Sequence, residues 1–181
     1  MTQRFDPTRA IVFDLARGQL RDSEGARRLN LPNDLVLRLY RESAPEVRRD
    51  FAQALGTDLG RRVSDSFGSA VRAESVEAWT EHLGGQLALI GLGNLRVERW
   101  GKGLVLRVEG SPVETAQLLK EVLSGALQRG LGGEIALVAF EDVDSIAYLV
   151  LSPESARQAE ELVQQGKSLS GVLESLHQGA A

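Results

Sequence analysis

The segment from Gly91 to Pro112, GLGNLRVERWGKGLVLRVEGSP, constrains the fold more than any other part of the chain. Its opening GLG is typical of a helix end, because glycine readily adopts the left-handed conformation that closes a helix. Its final Ser-Pro pair is typical of a helix start. Between these signals, apolar and charged residues alternate on either side of Gly101, as they do in half-buried strands. The segment therefore predicts a β-hairpin between two helices.

The pairing of the two predicted strands is self-consistent. If residues 101–102 form a two-residue turn, Val97 lies opposite Leu106 and Leu95 lies opposite Val108. This register places the apolar side chains of both strands on one face of the hairpin. Each strand is therefore expected to have one dry face.

A second hairpin is predicted from Glu134–Phe140 and Ser145–Leu151, joined by the acidic turn Glu141–Asp144. Both faces of its strands are apolar, so we expect this hairpin to be buried on both sides. The carboxylates of the turn could hold a hard cation, but the turn lacks the ligand number and the glycine of a calcium loop. A solvated turn is the favoured interpretation, and the sequence does not assign the turn a role.

Most of the remaining chain predicts helices that begin at recognisable caps. The strongest start signal is the capping box Ser111-Pro112-Val113-Glu114. A short β-prone run, Ala10–Leu15, precedes the helices, and Gly18 to Gly25 is expected to form a loop. The predicted helices, with their candidate caps, span Asn33–Glu42 (Asn33), Pro45–Phe67, residues 75–90 (Ser75), residues 112–130 (Ser111), residues 153–165 (Ser152) and residues 168–177. The sequence therefore predicts an α+β fold, with helices packed on a twisted antiparallel sheet made of two hairpins joined by a helix.

The helix at Pro45–Phe67 has apolar residues spaced strictly by four, from Val47 to Phe67. Each step of four exceeds a full turn by about 40°, so the apolar stripe winds by about 200° along the helix. Its two ends then face opposite directions, and the helix must be covered on two sides. One cover could be the sheet and the other a second subunit, with Val47 and Val63 at the contact. A helix inside a multi-helix layer of a monomer is the alternative. Four small residues would allow neighbours to approach closely: Ala52, Ala54, Gly56 and Gly60.

Composition excludes several classes of function. The net charge of −4 argues against a nucleic-acid binder, which usually carries a basic stripe. The absence of cysteine excludes disulfides, thiolate zinc sites and thiol nucleophiles. No apolar run is long enough to span a membrane, and residues 1–10 lack the apolar region of a signal peptide, so we expect a cytoplasmic protein. A single domain is expected over residues 10–177, with flexible ends at residues 1–9 and 178–181.

Reactive chemistry is sparse in this sequence. His82 and His177 have no neighbours at metal-ligand or acid-base spacing, so both are expected to be surface or packing residues. Residues 166–168 imitate the end of a phosphate-binding loop but lack its first glycine and its preceding strand. An anion could bind to three arginines of the first hairpin, Arg96, Arg99 and Arg107. The interleaved glutamates favour cross-strand ion pairs instead. We therefore predict a protein that is not an enzyme and that has no cofactor and no metal.

Four stretches of the chain, ALGTDLGRRV, GLGNLRVERW, EGSP and LLKEVLSGAL, occur in the order found in the 4-vinyl reductase-like (V4R) domain family. The chain resembles this family over roughly residues 10–152, and the family is similar in fold to the small subunits of the transport protein particle (TRAPP) and to heme nitric oxide binding-related sensor domains. The resemblance implies an α+β fold that is usually dimeric and encloses an apolar cavity. Relatives bind small apolar molecules, sense aromatics or act as assembly subunits. Many members carry cysteines that suggest metal binding, and this chain has none.

Two functions are compatible with these patterns. The first is a homodimeric, non-enzymatic adaptor or scaffold for an unidentified protein partner, with Trp100 at the hairpin tip as an interface residue. The alternative is a sensor or carrier that binds a small hydrophobic ligand in an apolar cavity of about 300 Å³ or more. The candidate lining residues are Phe51, Phe67, Trp79 and Phe140, for each of which simple core packing is the favoured alternative.

Overall fold

The computed structural model of the chain describes residues 5–67, 76–101 and 103–178. The described residues form an α+β fold with two antiparallel sheets, as the sequence predicts. In chain order, the elements are α1 (Pro7–Ala10), β1 (Ile11–Asp14), β2 (Gln19–Asp22), β3 (Arg27–Arg28), α2 (Asn33–Glu42), α3 (Pro45–Phe67), α4 (Val76–Leu89), β4 (Asn94–Trp100), β5 (Gly103–Glu109), a 3₁₀ turn (Val113–Thr115), α5 (Ala116–Leu131), β6 (Ala136–Glu141), β7 (Ser145–Leu151), α6 (Pro153–Gln164) and α7 (Leu169–Gln178).

The larger sheet consists of the two predicted hairpins, joined side by side in the order β4-β5-β7-β6. In the first hairpin Val97 pairs with Leu106 and Leu95 pairs with Val108, so the predicted register is confirmed. The two hairpins meet through β5 and β7, where Leu106 pairs with Tyr148. Residue 102 of the predicted turn lies outside the described residues.

Apolar side chains cover both faces of this sheet. On one face, Leu106, Ile146 and Tyr148 belong to a core that also contains residues of α3, α4 and α5. On the other face, Val105 and Leu149 pack in a second core with residues of α6 and α7. The prediction that the second hairpin is buried on both sides is therefore confirmed, and the sheet lies between two helical layers.

Helices α3 and α5 touch through their backbones. A Cβ atom built on Gly56 would lie 2.2 Å from the carbonyl oxygen of Val122, and one built on Gly60 would lie 2.5 Å from that of Ala126. No real side-chain carbon tolerates such distances, so only glycine fits at either position. The predicted role of these small residues in close packing is thereby confirmed.

The smaller sheet, β1-β2-β3, replaces the loop that we expected between Gly18 and Gly25. It is held against α3 by Asp22, whose Oδ2 accepts hydrogen bonds from Nε of Arg28 at 2.9 Å and from Nη1 of Arg62 at 2.5 Å. Asp22 and Arg62 are both buried. The loop prediction was wrong because the short polar strand β2 depends on a charge partner forty residues further along the chain.

The predicted helix starts are confirmed in part. Ser152 caps α6 as expected, because its hydroxyl oxygen accepts a hydrogen bond from the N–H of Ser155. The capping box at Ser111 does not form; the hydroxyls of Ser111 and Thr115 pair with each other at 2.8 Å, and the first turn tightens to a 3₁₀ helix. Asn33 is not a cap either, since it is the first residue of α2 and its amide donates to the carbonyl of Gly91. The candidate cap at residue 75 lies outside the described residues.

Asp6 caps the short helix α1, where the sequence predicts a flexible end. The predicted flexible residues 1–4 and 179–181 lie outside the described residues. Within the described ranges, none of the helices has the length and apolar character needed to cross a membrane.

Candidate ligand-binding site

The side chains of helix α4 are the best candidates for a binding site. Its predicted apolar face is confirmed, since Trp79, Leu83 and Leu87 are all fully buried in the core between the sheet and the helices. Ile90, predicted to extend that face, lies beyond the end of the helix and is exposed. His82 lies one turn after Trp79 and is also buried.

The indole of Trp79 packs on the backbone of α5. A Cβ atom built on Gly130 would lie 2.0 Å from Cζ2 of the indole and 2.7 Å from its Nε1, so the ring fits only because residue 130 has no side chain. Nε1 is buried and has no hydrogen-bond acceptor among the residues that the structure describes. Buried indole N–H groups normally have a partner, so this donor is an unusual polar atom of the core.

His82 lies within a small group of aromatic rings. Its ring centroid is 4.6 Å from that of Phe67 and 5.8 Å from that of Phe5, which meets it edge-on. Oγ of Ser66 is 3.4 Å from Nδ1 of His82. The Phe5 ring also rests on Gly85, and we call the position formed by Phe67, His82 and Gly85 the ring seat.

The four predicted pocket residues do not gather around one cavity. Trp79 and Phe67 both belong to the core of α3, α4 and α5. Phe140 packs in the second core, on the other face of the sheet. Phe51 is 43% exposed, and its ring lies 6.2 Å from that of Tyr40.

The three predicted interface residues also lie apart. Val47 is 52% exposed near the start of α3, whereas Val63 is only 1% exposed and lies in the core. Val63 is therefore unavailable to a partner in this structure. Trp100 is 38% exposed at the tip of the first hairpin, where its Nε1 donates to Glu98 at 2.9 Å.

Two open grooves lie on the surface of the fold. One, of about 490 Å³, runs between the tip of the first hairpin and α7 and includes Trp100 and His177. The other, of about 300 Å³, lies between α5 and α6 beside the edge strand β6. Neither groove is lined by any of the four predicted pocket residues.

The arginines of the first hairpin are occupied by ion pairs. Arg96 contacts Glu109 at 3.2 Å and Arg107 contacts Glu98 at 2.6 Å across the strands. The hydrogen bonds from Arg107 lower the pKa of the Glu98 carboxyl below its ordinary value. The third arginine, Arg99, pairs with a glutamate of α4. The predicted cross-strand pairing is confirmed for the first two arginines.

The buried hydroxyl of Tyr148 and a carboxylate of the acidic turn both have hydrogen-bond partners within the chain. The hydroxyl of Tyr148 donates to the carbonyl of Ala116 at 2.8 Å, and burial raises the pKa of that hydroxyl. In the acidic turn, Oδ1 of Asp142 accepts a hydrogen bond from the N–H of Val143. Among the described residues, no three His, Cys, Asp or Glu side chains are grouped so that they could hold a metal ion.

Reasoning from sequence missed Phe5, Gly85 and Gly130. Each acts through a contact with a residue far away in the chain, which no local pattern reveals. The one available signal was the presence of glycine inside a helix, where it is unfavourable and therefore indicates close approach of another group. His82 is a packing residue, as one of the two predicted alternatives had it.

The fold is similar to that of a solved sensory domain. The crystal structure of the phenol-responsive sensory domain of the transcription activator PoxR with phenol matches with a TM-score of 0.57 and 13% sequence identity, over 79% of this chain and 85% of that chain. At this identity the likeness is one of fold. No protein-family model matches the sequence, so the V4R resemblance stays a prediction. No curated protein matches it either.

Proposed function

We propose that this protein is a non-enzymatic sensory module that binds a small aromatic molecule on the face of its larger sheet that α3, α4 and α5 cover. The observation that carries the proposal is the buried Nε1–H of Trp79, which lacks an acceptor among the described residues. A buried donor without a partner costs about 1–3 kcal/mol, so a ligand that supplied an acceptor oxygen would recover this energy. The similarity in fold to a phenol-responsive sensory domain supports an aromatic ligand.

Phenol is the first molecule to test, because it combines an aromatic ring with an acceptor oxygen. If phenol binds only the folded chain, a concentration one hundred times its Kd raises the Tm by about 5–10 °C for a domain of this size. Differential scanning fluorimetry with a phenol titration measures this shift. A Tm that does not move at any phenol concentration that leaves an unrelated protein folded would contradict the proposal.

The role of Trp79 has its own test. The substitution Trp79→Phe keeps an aromatic ring and removes the N–H group, so we expect phenol to bind about 5–10-fold more weakly. Trp100→Phe is the matched control, because Trp100 is partly exposed and its N–H already donates to Glu98. This control leaves Trp79 as the only tryptophan. Its fluorescence therefore reports phenol binding directly.

A second candidate function is the predicted homodimeric adaptor, and one surface favours it. The α2–α3 face, residues 33–51, exposes Leu39, Val47 and Phe51, and α2 contains no buried residue. Within the described chain, the charged residues of this face form no ion pairs, although acidic and basic side chains are equal in number: Asp34, Glu42, Glu46 and Asp50 against Arg38, Arg41, Arg48 and Arg49. Two copies related by a two-fold axis could pair these charges while they cover the apolar residues.

Sedimentation velocity at micromolar concentrations tests this second candidate. A dimer supports the use of the α2–α3 face, whereas a monomer at every concentration contradicts it. The outcome does not depend on ligand binding, so the two candidate functions are tested separately.

A further inference from the structure

The ring of Phe5 occupies a position that helix α4 keeps free of its own side chains. A Cβ atom built on Gly85 would lie 2.2 Å from Cδ1 of Phe5 and 2.4 Å from its Cγ. Glycine is unfavourable inside a helix, because it loses more backbone conformational entropy than alanine when the helix forms. Its presence at residue 85 therefore leaves room for a flat ring.

The other sides of the ring seat suit an aromatic group. Phe5 meets the buried imidazole of His82 edge-on, with an interplanar angle of 84°. Phe67 lies on the same imidazole, with its ring centroid 4.6 Å away. Edge-to-face contact between rings is a favourable arrangement, so the seat recognises the shape and charge distribution of a single aromatic ring.

The chain around Phe5 is held mainly by local contacts. The side chain of Asp6 accepts hydrogen bonds from the N–H and the hydroxyl of Thr8, and it pairs with the exposed Arg9. Helix α1 contains no buried residue. The Phe5 ring thus contacts α4 through Gly85 and His82, while the four residues that follow it are exposed.

We propose that the ring seat is the binding site for a single-ring aromatic molecule, and that the chain's own Phe5 occupies this site until such a molecule displaces it. The side chain of Phe5 is itself a single benzene ring, which defines the class of ligand that the seat accepts. Displacement would release residues 5–10 from α4 and so convert ligand binding into movement of the N-terminal segment. His82 of the seat follows Trp79 by three residues on α4, so the seat lies about one helical turn from the indole on which the proposed function rests. This inference rests on the proposed sensory function and adds the position of the aromatic ring and the element that responds to it.

The first experiment compares phenol binding to the full chain and to its Phe5→Ala variant by isothermal titration calorimetry. If Phe5 fills the seat in nine molecules out of ten, its removal lowers the apparent Kd for phenol about tenfold. Phe13→Ala is the matched control, because Phe13 is 65% exposed on β1 and its removal leaves the affinity unchanged.

The second experiment follows the N-terminal segment itself. Trypsin cleaves after Arg9, and we expect saturating phenol to accelerate this cleavage at least several-fold in the unmodified chain. Gly85→Ala fills the seat, so it accelerates cleavage without phenol and abolishes the further effect of phenol. Circular dichroism verifies that each variant is folded.

The possible outcomes separate this inference from the proposed function. Equal phenol affinities for the unmodified chain and Phe5→Ala, with cleavage at Arg9 unchanged by phenol, would overturn the inference and leave the sensory function standing. Failure of phenol to bind either protein would overturn both. Tighter binding by Phe5→Ala together with faster cleavage supports the ring seat as the site.

Discussion

At the scale of single residues, glycine positions in helices carry much of the specific information in this chain. Gly56 and Gly60 let α3 and α5 touch, Gly130 receives the indole of Trp79, and Gly85 receives the ring of Phe5. Each position gives up about 1 kcal/mol of helix stability relative to alanine, and close packing has to offset that loss. The sequence indicated close approach at the first two, which are among four small residues of α3, but the partners of the other two could not be inferred from local patterns.

Substitution of Gly56 tests this account. Gly56→Ala places a methyl group 2.2 Å from a backbone carbonyl that cannot rotate away, so we expect the free energy of unfolding to fall by about 1–3 kcal/mol despite the better helix propensity. The matched control is Gly171→Ala in α7, where the nearest atom to a new Cβ is 3.6 Å away. The control should raise the free energy of unfolding by up to about 1 kcal/mol. Urea denaturation measures both values, and a stabilising Gly56→Ala would refute the close contact.

At the scale of elements, the sequence predicted the helices and strands that depend on patterns among neighbouring residues. The β4–β5 hairpin, the bounds of α2 and α3 and the Ser152 cap of α6 all follow from alternation, periodicity and capping chemistry. The strands β2 and β3 were missed because their stability depends on charges supplied by α3. The predicted capping box does not form because the hydroxyl of Ser111 pairs with the hydroxyl of Thr115.

The Asp22 network should be essential for the docking of the smaller sheet. Asp22→Asn keeps an oxygen that can accept from the N–H groups of Glu24 and Ala26, but it removes the charge beside buried Arg62. Buried Arg62 loses one of its two carboxylate partners and keeps Asp58 at 2.7 Å, so we expect the free energy of unfolding to fall by about 2 kcal/mol, as for a hydrogen bond to a charged group. Urea denaturation measures this change.

An exposed ion pair provides the comparison for that experiment. Glu160→Gln breaks a surface contact with Lys120, and such contacts contribute at most about 1 kcal/mol. Hydrogen exchange should also show loss of protection in β1 and β2 for the Asp22 variant alone. Equal effects of the two substitutions would mean that the network adds no more than a surface pair.

At the scale of the whole molecule, the sheet with helices on both faces follows from the apolar pattern of the second hairpin. Residues of β7 point alternately into the two cores, so that Tyr148 faces one helical layer and Leu149 faces the other. The sequence predicted this burial but not which helices lie on each face of the sheet. That arrangement depends on contacts between distant parts of the chain, which no local pattern reveals. Of the four predicted pocket residues, Trp79 and Phe67 lie in the same core, and their role in a site stays a prediction.

Association of two copies through the α2–α3 face can be tested by substitution. If two copies of the chain associate through it, Phe51→Glu places a charge in the apolar centre of the contact, and the protein should sediment as a monomer. Val143→Glu is the control, since Val143 is 86% exposed in the turn between β6 and β7 and its replacement should leave the dimer intact. Dissociation by both variants, or by neither, would contradict a contact at this face.

The backbone contact between α3 and α5 has a consequence for the order of folding. Gly60 and Ala126 meet only when the chain between them, which contains α4 and the β4–β5 hairpin, has closed into a compact loop. Closing a long loop lowers the conformational entropy of the chain, and this loss precedes any stabilisation of the fold by the contact. The hairpin from Gly91 to Pro112 forms from neighbouring residues and shortens that loop as it forms. We therefore expect the hairpin to be structured before α3 and α5 come into contact with each other.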